Sequence, residues 1–168
     1  MTDVGELFAR TALDRDLRIA VAESLTGGLL TSALVDVPGA SAVVSGGVVA
    51  YATPLKTRLL GVDAELLAER GAIDAEVARQ MAAGVRARLV LDDRPADHGV
   101  ATTGAAGPDP QDGHEPGTVW LGYADAVGAD AELLALSGDR DGIRRGAVEA
   151  ALGMLARRLG IASEEPRE

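Results

Sequence analysis

Leu17-Arg18-Ile19-Ala20-Val21-Ala22, then Glu23-Ser24-Leu25-Thr26-Gly27-Gly28, then Leu29-Leu30-Thr31-Ser32-Ala33-Leu34 is the stretch that decides the fold. Its first six residues are a nearly continuous apolar run, the pattern of a strand covered on both faces. The glycine pair ends that run, and Leu29, Leu30, Ala33 and Leu34 then recur at helical spacing. The segment reads as strand, tight loop, helix, the unit from which layered α/β domains are built.

Working outward, Gly5 to Asp14 places Leu7, Phe8, Ala12 and Leu13 on one stripe, as an amphipathic helix does. Val37-Pro38-Gly39 is a turn, and Val43 to Tyr51 is β-branched enough for a second strand, with a glycine pair that suggests a bulge or a close backbone approach. Thr53-Pro54 predicts a helix start with a hydroxyl N-cap and proline at the first helical position, which puts Lys56 in the first turn. Asp63 to Arg70 predicts a helix ended by Gly71. Asp74 to about Leu89 predicts another, with Val77, Met81, Val85 and Leu89 on one stripe. His98 to Thr103 is a third strand that feeds a loop from Gly104 to Gly113. Gly117 to Tyr123 and Glu132 to Leu136 form two more, joined through Asp125 to Asp130, and a last helix spans about Asp139 to Leu159. This order predicts a single α/β domain over residues 1–168, with a mixed β-sheet flanked by helices and a polar, flexible tail after about residue 161.

Composition narrows the function classes. The 168 residues suit one core, and with only 2% aromatic residues that core must be built from Ala, Val, Leu and Ile. A net charge of -10 argues against nucleic acid as a partner, which calls for a concentrated positive surface. The absence of cysteine excludes disulfides, thiolate nucleophiles, cysteine zinc sites and iron–sulfur clusters. Met1-Thr2-Asp3-Val4-Gly5-Glu6 is acidic where a signal peptide is basic, and no apolar stretch approaches the ~20 residues of a membrane span. The expectation is a soluble, cytoplasmic protein with no membrane partner.

Neither a P-loop nor a dinucleotide-binding glycine pattern is present, and His98 and His114 lack partners at ligand spacing. No metal and no cofactor are expected, and without cysteine or an evident histidine base a nucleophile has to be a hydroxyl activated by another group. Ser24 follows a strand and precedes glycines and a helix start, a setting for an oxyanion or anion site; a plain helix cap by Ser24 or Thr26 is the competing account. Among sixteen basic residues Lys56 is the single lysine, and Tyr51 stands five positions before it. A lysine acting as base near neutral pH needs a pKa of ~7–8 rather than ~10.4, a destabilisation of the ammonium by roughly 4 kcal/mol. Arginine cannot do this, because it stays protonated. The alternative is a solvated lysine on an exposed turn, against which its rarity in the chain argues. Thr102 to Pro108 suits either a phosphate or ribose site or an ordinary surface loop. Arg140 can grip a phosphate or carboxylate through two hydrogen bonds; salt bridging to the abundant acids is the competing account, particularly for Arg144 and Arg145.

Several segments in order resemble the CinA C-terminal domain family: Ala22-Glu23-Ser24-Leu25-Thr26-Gly27-Gly28, Val37-Pro38-Gly39-Ala40-Ser41, Gly47 with Tyr51 and Lys56, Leu60-Gly61-Val62, Thr103-Gly104-Ala105-Ala106-Gly107-Pro108, Gly117-Thr118-Val119 and Gly138-Asp139-Arg140. The resemblance implies a metal-independent amidohydrolase that converts nicotinamide mononucleotide to nicotinic acid mononucleotide and ammonia, in pyridine-nucleotide salvage, as a homodimer. It implies Ser24 as nucleophile, Lys56 as its base and Tyr51 as a relay or orienting hydroxyl. Thr26, Gly27, Gly28, Gly47, Thr103, Gly104, Gly107 and Arg140 would hold the nucleotide. The chain departs from the family at Thr53, where asparagine is common, at Asp74, where serine is common, and at Asp109-Pro110-Gln111-Asp112-Gly113, which lacks the usual glycine pair. The alternatives are a catalytically silent nucleotide-binding or interaction module of the same fold, and an amidase for another small amide.

Overall fold

The computed structural model describes residues 15–160. The helix expected over Gly5–Asp14 and the tail after residue 161 lie outside them. Five strands, β1 (Ile19–Glu23), β2 (Val44–Val49), β3 (His98–Gly104), β4 (Thr118–Ala124) and β5 (Ala129–Ala135), form one sheet in the order β2-β1-β3-β4-β5. β1 runs parallel to β2 and β3, whereas β4 is antiparallel to β3 and β5 antiparallel to β4. The mixed sheet is thus as expected. Around it lie helices α1 (Leu29–Val35), α2 (Thr53–Leu55), α3 (Ala64–Arg70), α4 (Ala75–Arg88) and α5 (Arg140–Arg158).

Strand alternation divides the core between the two faces. Ile19, Val21, Val100, Val119, Leu121 and Tyr123 pack with α1 and α5, through Leu30, Leu34, Ile143, Ala147, Ala151, Met154 and Leu155. The other face offers mostly small residues, Ala20, Ala22, Ala101 and Ala124, and meets Val77, Met81, Ala82 and Val85 of α4. Two glycines let α4 come closer still: a Cβ on Gly99 would lie 2.1 Å from the Ala82 carbonyl oxygen, and one on Gly122 would lie 2.0 Å from that of Ala78. Small side chains on this face let α4 pack close against the sheet in a chain with so few aromatic residues.

Three local features differ from the sequence reading. Ala52, not Thr53, is the N-cap of α2, and no side chain caps it, so Pro54 sits one position deeper in the turn. The helix then widens into a π turn over Lys56–Leu60. β5 begins three residues early, because the Asp125 carboxylate accepts the N–H groups of Val127 and Gly128 and closes the hairpin within the turn.

The connections set where a site can form. The β1–β2 link through α1 covers one face, and the β2–β3 link through α4 covers the other. β1 leads on one side to β2 and β3 on the other side to β4, so the strand order reverses between them, and the carboxyl ends of such a strand pair are where open α/β sheets bind ligands. Glu23, Ser24 and Thr102–Gly104 lie at that end.

Candidate active site

Ser24 is the first residue past β1, held by its own N–H on the Thr102 carbonyl at 2.9 Å. Lys56 reaches it from the π turn: Nζ donates to Ser24 Oγ at 3.0 Å and to the Ala50 carbonyl at 2.9 Å. The lysine is completely buried and has no ion-pair partner among the described residues. Burial pulls its pKa down from 10.5 to about 8, against the weaker opposing pull of the Asp112 carboxylate. At that value about a tenth of the side chain is neutral at pH 7, with a lone pair available. π turns of this kind recur at functional sites, and here the widened turn carries the lysine inward.

Glu23 has no assigned role in the sequence reading, yet it organises the site. Its buried carboxylate accepts five hydrogen bonds. Oε2 takes Thr26 Oγ1 (2.6 Å), Gly28 N (3.0 Å) and Leu30 N (3.0 Å), and Oε1 takes Thr31 N (2.8 Å) and Thr31 Oγ1 (2.6 Å). It caps α1 from the neighbouring strand, which the left-handed Gly27 and Gly28 make geometrically possible. A glutamate at the end of an apolar run, followed at short range by threonines and glycines, is the sequence signal for it.

Other expected site residues have different surroundings. The Thr26 hydroxyl is fully buried, shared between Glu23 and Thr102 Oγ1 at 2.7 Å, and so faces inward. The amides of Gly27 and Gly28 are spent on Ser24 O and Glu23. Gly47 serves packing: a Cβ there would meet Thr31 Oγ1 at 2.0 Å. Gly104 likewise lies where a Cβ would come within 2.6 Å of the Thr118 carbonyl oxygen. Thr103 Oγ1 donates to the Ala72 carbonyl at 2.6 Å.

Tyr51 makes no hydrogen bond to Ser24 or Lys56. It is 59% exposed, and its hydroxyl accepts Arg140 Nη2 at 3.1 Å, because Ala50 turns inward and the next residue faces out. Arg140 also donates to the Gly107 carbonyl at 2.7 Å, so Tyr51, Arg140 and Gly107 form one exposed bridge. Arg144, read from sequence as balancing acids, instead holds the carbonyls of Leu25 and Thr26.

Asp112 belongs to the loop that departs from the family, and its Oδ2 accepts the Ala72 N–H at 3.2 Å. Asp112→Asn keeps an acceptor there but removes the charge that holds the Lys56 pKa up. The acid limb of Ser24 reactivity is expected to move to lower pH. A limb that stays put or rises would show that Asp112 does not act on Lys56.

Comparison with known proteins gives the chain's family. The family described as the CinA C-terminal domain matches residues 1–159. The chain belongs to the CinA C-terminal domain family. A CinA-like protein of Frankia casuarinae is 48% identical over 154 residues, which are 91% of this chain and 34% of that protein. The chain thus spans about a third of the length of such CinA-like relatives. A solved structure of a competence-damaged protein (CinA) superfamily member from Klebsiella pneumoniae is 30% identical, with a TM-score of 0.87 over 94% of this chain and 96% of the other. A competence/damage inducible protein from Agrobacterium tumefaciens is 35% identical, with a TM-score of 0.82 over 95% and 97% of the two chains. In this CinA domain no helix of the described residues is long and apolar enough to cross a membrane.

Proposed function

We propose that this chain is a metal-independent amidohydrolase of nicotinamide mononucleotide, yielding nicotinic acid mononucleotide and ammonia. The observation that carries the reading is the buried lysine 3.0 Å from a serine hydroxyl at the carboxyl end of the central strands, with its pKa lowered to about 8. A buried lysine without a carboxylate partner is costly to keep, and a general base explains why one stands there.

In this scheme neutral Lys56 takes the Ser24 hydroxyl proton as Ser24 Oγ bonds to the amide carbon. The carbonyl π electrons move onto oxygen. When the carbonyl reforms, the carbon–nitrogen bond breaks, the Lys56 ammonium protonates the departing nitrogen, and ammonia leaves. Water, deprotonated by the same lysine, then adds to the Ser24 ester; the carbon–Oγ bond breaks, Lys56 returns the proton to Ser24 Oγ, and the acid leaves. Arg140, exposed at the bridge to Tyr51, is suited to the nucleotide phosphate. Tyr51 then acts by orienting Arg140. The family resemblance supports the nucleotide substrate, a homodimeric state and action in the cytoplasm.

The test is to incubate the purified protein with nicotinamide mononucleotide and a chelator and to measure ammonia and nicotinic acid mononucleotide. Equal release of both is expected. Nucleotide binding by calorimetry without ammonia would instead favour a silent binding module, and release from a different small amide would reassign the substrate.

A further inference from the structure

Hydrogen-bond accounting over the nucleophile loop leaves two donors over. Ser24 N donates to Thr102 O, Gly27 N to Ser24 O, Leu29 N to Thr26 O and Ser32 N to Gly28 O. Gly28, Leu30 and Thr31 donate to Glu23. The N–H groups of Leu25 and Thr26 alone in this run have no acceptor among the described residues, although Leu25 is 4% and Thr26 0% exposed. Buried amides without acceptors are rare in native proteins.

The direction of both follows from peptide planarity, since in a trans peptide the N–H points opposite to the carbonyl of the same unit. Arg144 of α5 donates from Nε to Leu25 O at 2.9 Å and from Nη2 to Thr26 O at 3.0 Å. Thr26 N–H therefore points away from Arg144. Ser24 O is held by Gly27 N at 3.2 Å, so Leu25 N–H points out of that turn. Leu25 is the residue directly after the serine, the position from which serine hydrolases commonly draw one donor. The terminus of α1 cannot serve instead, because Glu23 has taken its amides.

We propose that the backbone N–H groups of Leu25 and Thr26 form the oxyanion hole for Ser24, and that Arg144 is the positioning residue that aims them by holding the loop's carbonyls. The proposal rests on the reading of Ser24 as a nucleophile. As the Ser24 Oγ–carbon bond forms, the π pair moves to the carbonyl oxygen, the hydroxyl proton goes to Lys56, and the developing oxyanion meets the two N–H groups. Arg144 spends both its hydrogen bonds on this loop, one of them across 119 residues of sequence.

The test uses phenylmethylsulfonyl fluoride, followed by intact mass and peptide mapping. Ser24 Oγ bonds to sulfur, the sulfur–fluorine bond breaks, fluoride leaves, and a sulfonyl oxygen occupies the proposed hole. Replacing Leu25 by its α-hydroxy acid analogue exchanges the N–H for an ester oxygen and keeps the side chain. Labelling of Ser24 is then expected to slow by about 10²-fold, the usual cost of one lost oxyanion donor. Arg144→Gln is expected to slow it about tenfold or more, and Arg144→Lys by less, with the pH midpoint set by Lys56 unchanged in each. A merely structural Arg144 would lower the folded fraction and leave the rate on folded protein as in wild type. Wild-type labelling rates in the α-hydroxy protein, or no Ser24 labelling in the unaltered protein, would overturn the proposal. Labelling without ammonia release from nicotinamide mononucleotide would remove that substrate and leave the oxyanion assignment standing.

Discussion

Lys56→Met is expected to cut ammonia release from nicotinamide mononucleotide by about 10²–10⁴-fold, the range that general-base catalysis commonly supplies. The lysine amine is the one basic group bonded to the Ser24 hydroxyl among the described residues, so no neighbour can take over the proton. Lys56→Arg should not restore activity, because a guanidinium stays protonated and is bulkier than the ammonium it would replace at a fully buried position. In the unaltered enzyme kcat/KM should rise with pH and level off above about 8, as Lys56 loses its proton. An arginine variant with near wild-type turnover, or a flat profile from pH 6 to 9, would end the base assignment.

At pH 7 the same substitution should leave the protein at least as stable, which separates lost chemistry from lost folding. Since the folded-state pKa lies below the unfolded one, folding favours the neutral amine. Holding the ammonium costs about 3 kcal/mol at pH 7 for a displacement from 10.5 to about 8. Methionine removes that cost but forfeits the hydrogen bonds to Ala50 O and Ser24 Oγ, each worth about 1 kcal/mol. A net gain of about 1 kcal/mol is expected at pH 7; it should shrink as pH rises from about 8 and turn into a net loss of about 2 kcal/mol above about 10.5, where the unfolded lysine is neutral too. Thermal unfolding of the two proteins across that range measures it. Stability given up for a reactive group is the usual exchange at an active site.

How far such a site can be read in advance depends on whether its determinants are local. The apolar run of β1, the glycine pair after it and the apolar stripe of α4 are local, and each element forms within a residue or two of its expected ends. Lys56 was legible because a single lysine among sixteen basic residues is conspicuous. The close backbone approach expected at the Gly46-Gly47 pair is met at Gly47, but that its neighbour is Thr31, and that Gly104 faces Thr118, is set by packing between elements and invisible to spacing. Tyr51 points outward because strand alternation continues two residues past β2, a matter of register. Arg144 could not be tied to Leu25 at all, since only the docking of α5 on the sheet brings them together.

Glu23→Gln is expected to destabilise the protein by about 3 kcal/mol, although it changes one atom. Oε1 and Oε2 each accept at least one backbone N–H, from Thr31 on one side and from Gly28 and Leu30 on the other. An amide can offer its oxygen to only one side, and its NH₂ then faces donors on the other. At least one buried N–H loses its acceptor, at about 1–3 kcal/mol, and the remaining bonds lose the strength that the charge lent them. For a domain of this size each kcal/mol moves Tm by ~2–4 °C, so a fall of about 10 °C is expected. Glu23→Ala abandons every one of these donors and should cost about 5 kcal/mol or more, a large part of the ~5–15 kcal/mol that holds a typical domain together. Amide exchange gives the local readout: Gly28, Leu30 and Thr31 should be protected in the unaltered protein and exchange faster in the glutamine variant. Unchanged exchange at all three would mean that the carboxylate does not cap α1. The effect should extend to catalysis, because Glu23 takes the helix amides and so leaves Leu25 and Thr26 as the loop's only uncommitted donors. Freed amides at Gly28 and Leu30 would offer a reacting carbonyl competing contacts away from Ser24, and turnover per folded molecule should fall along with stability.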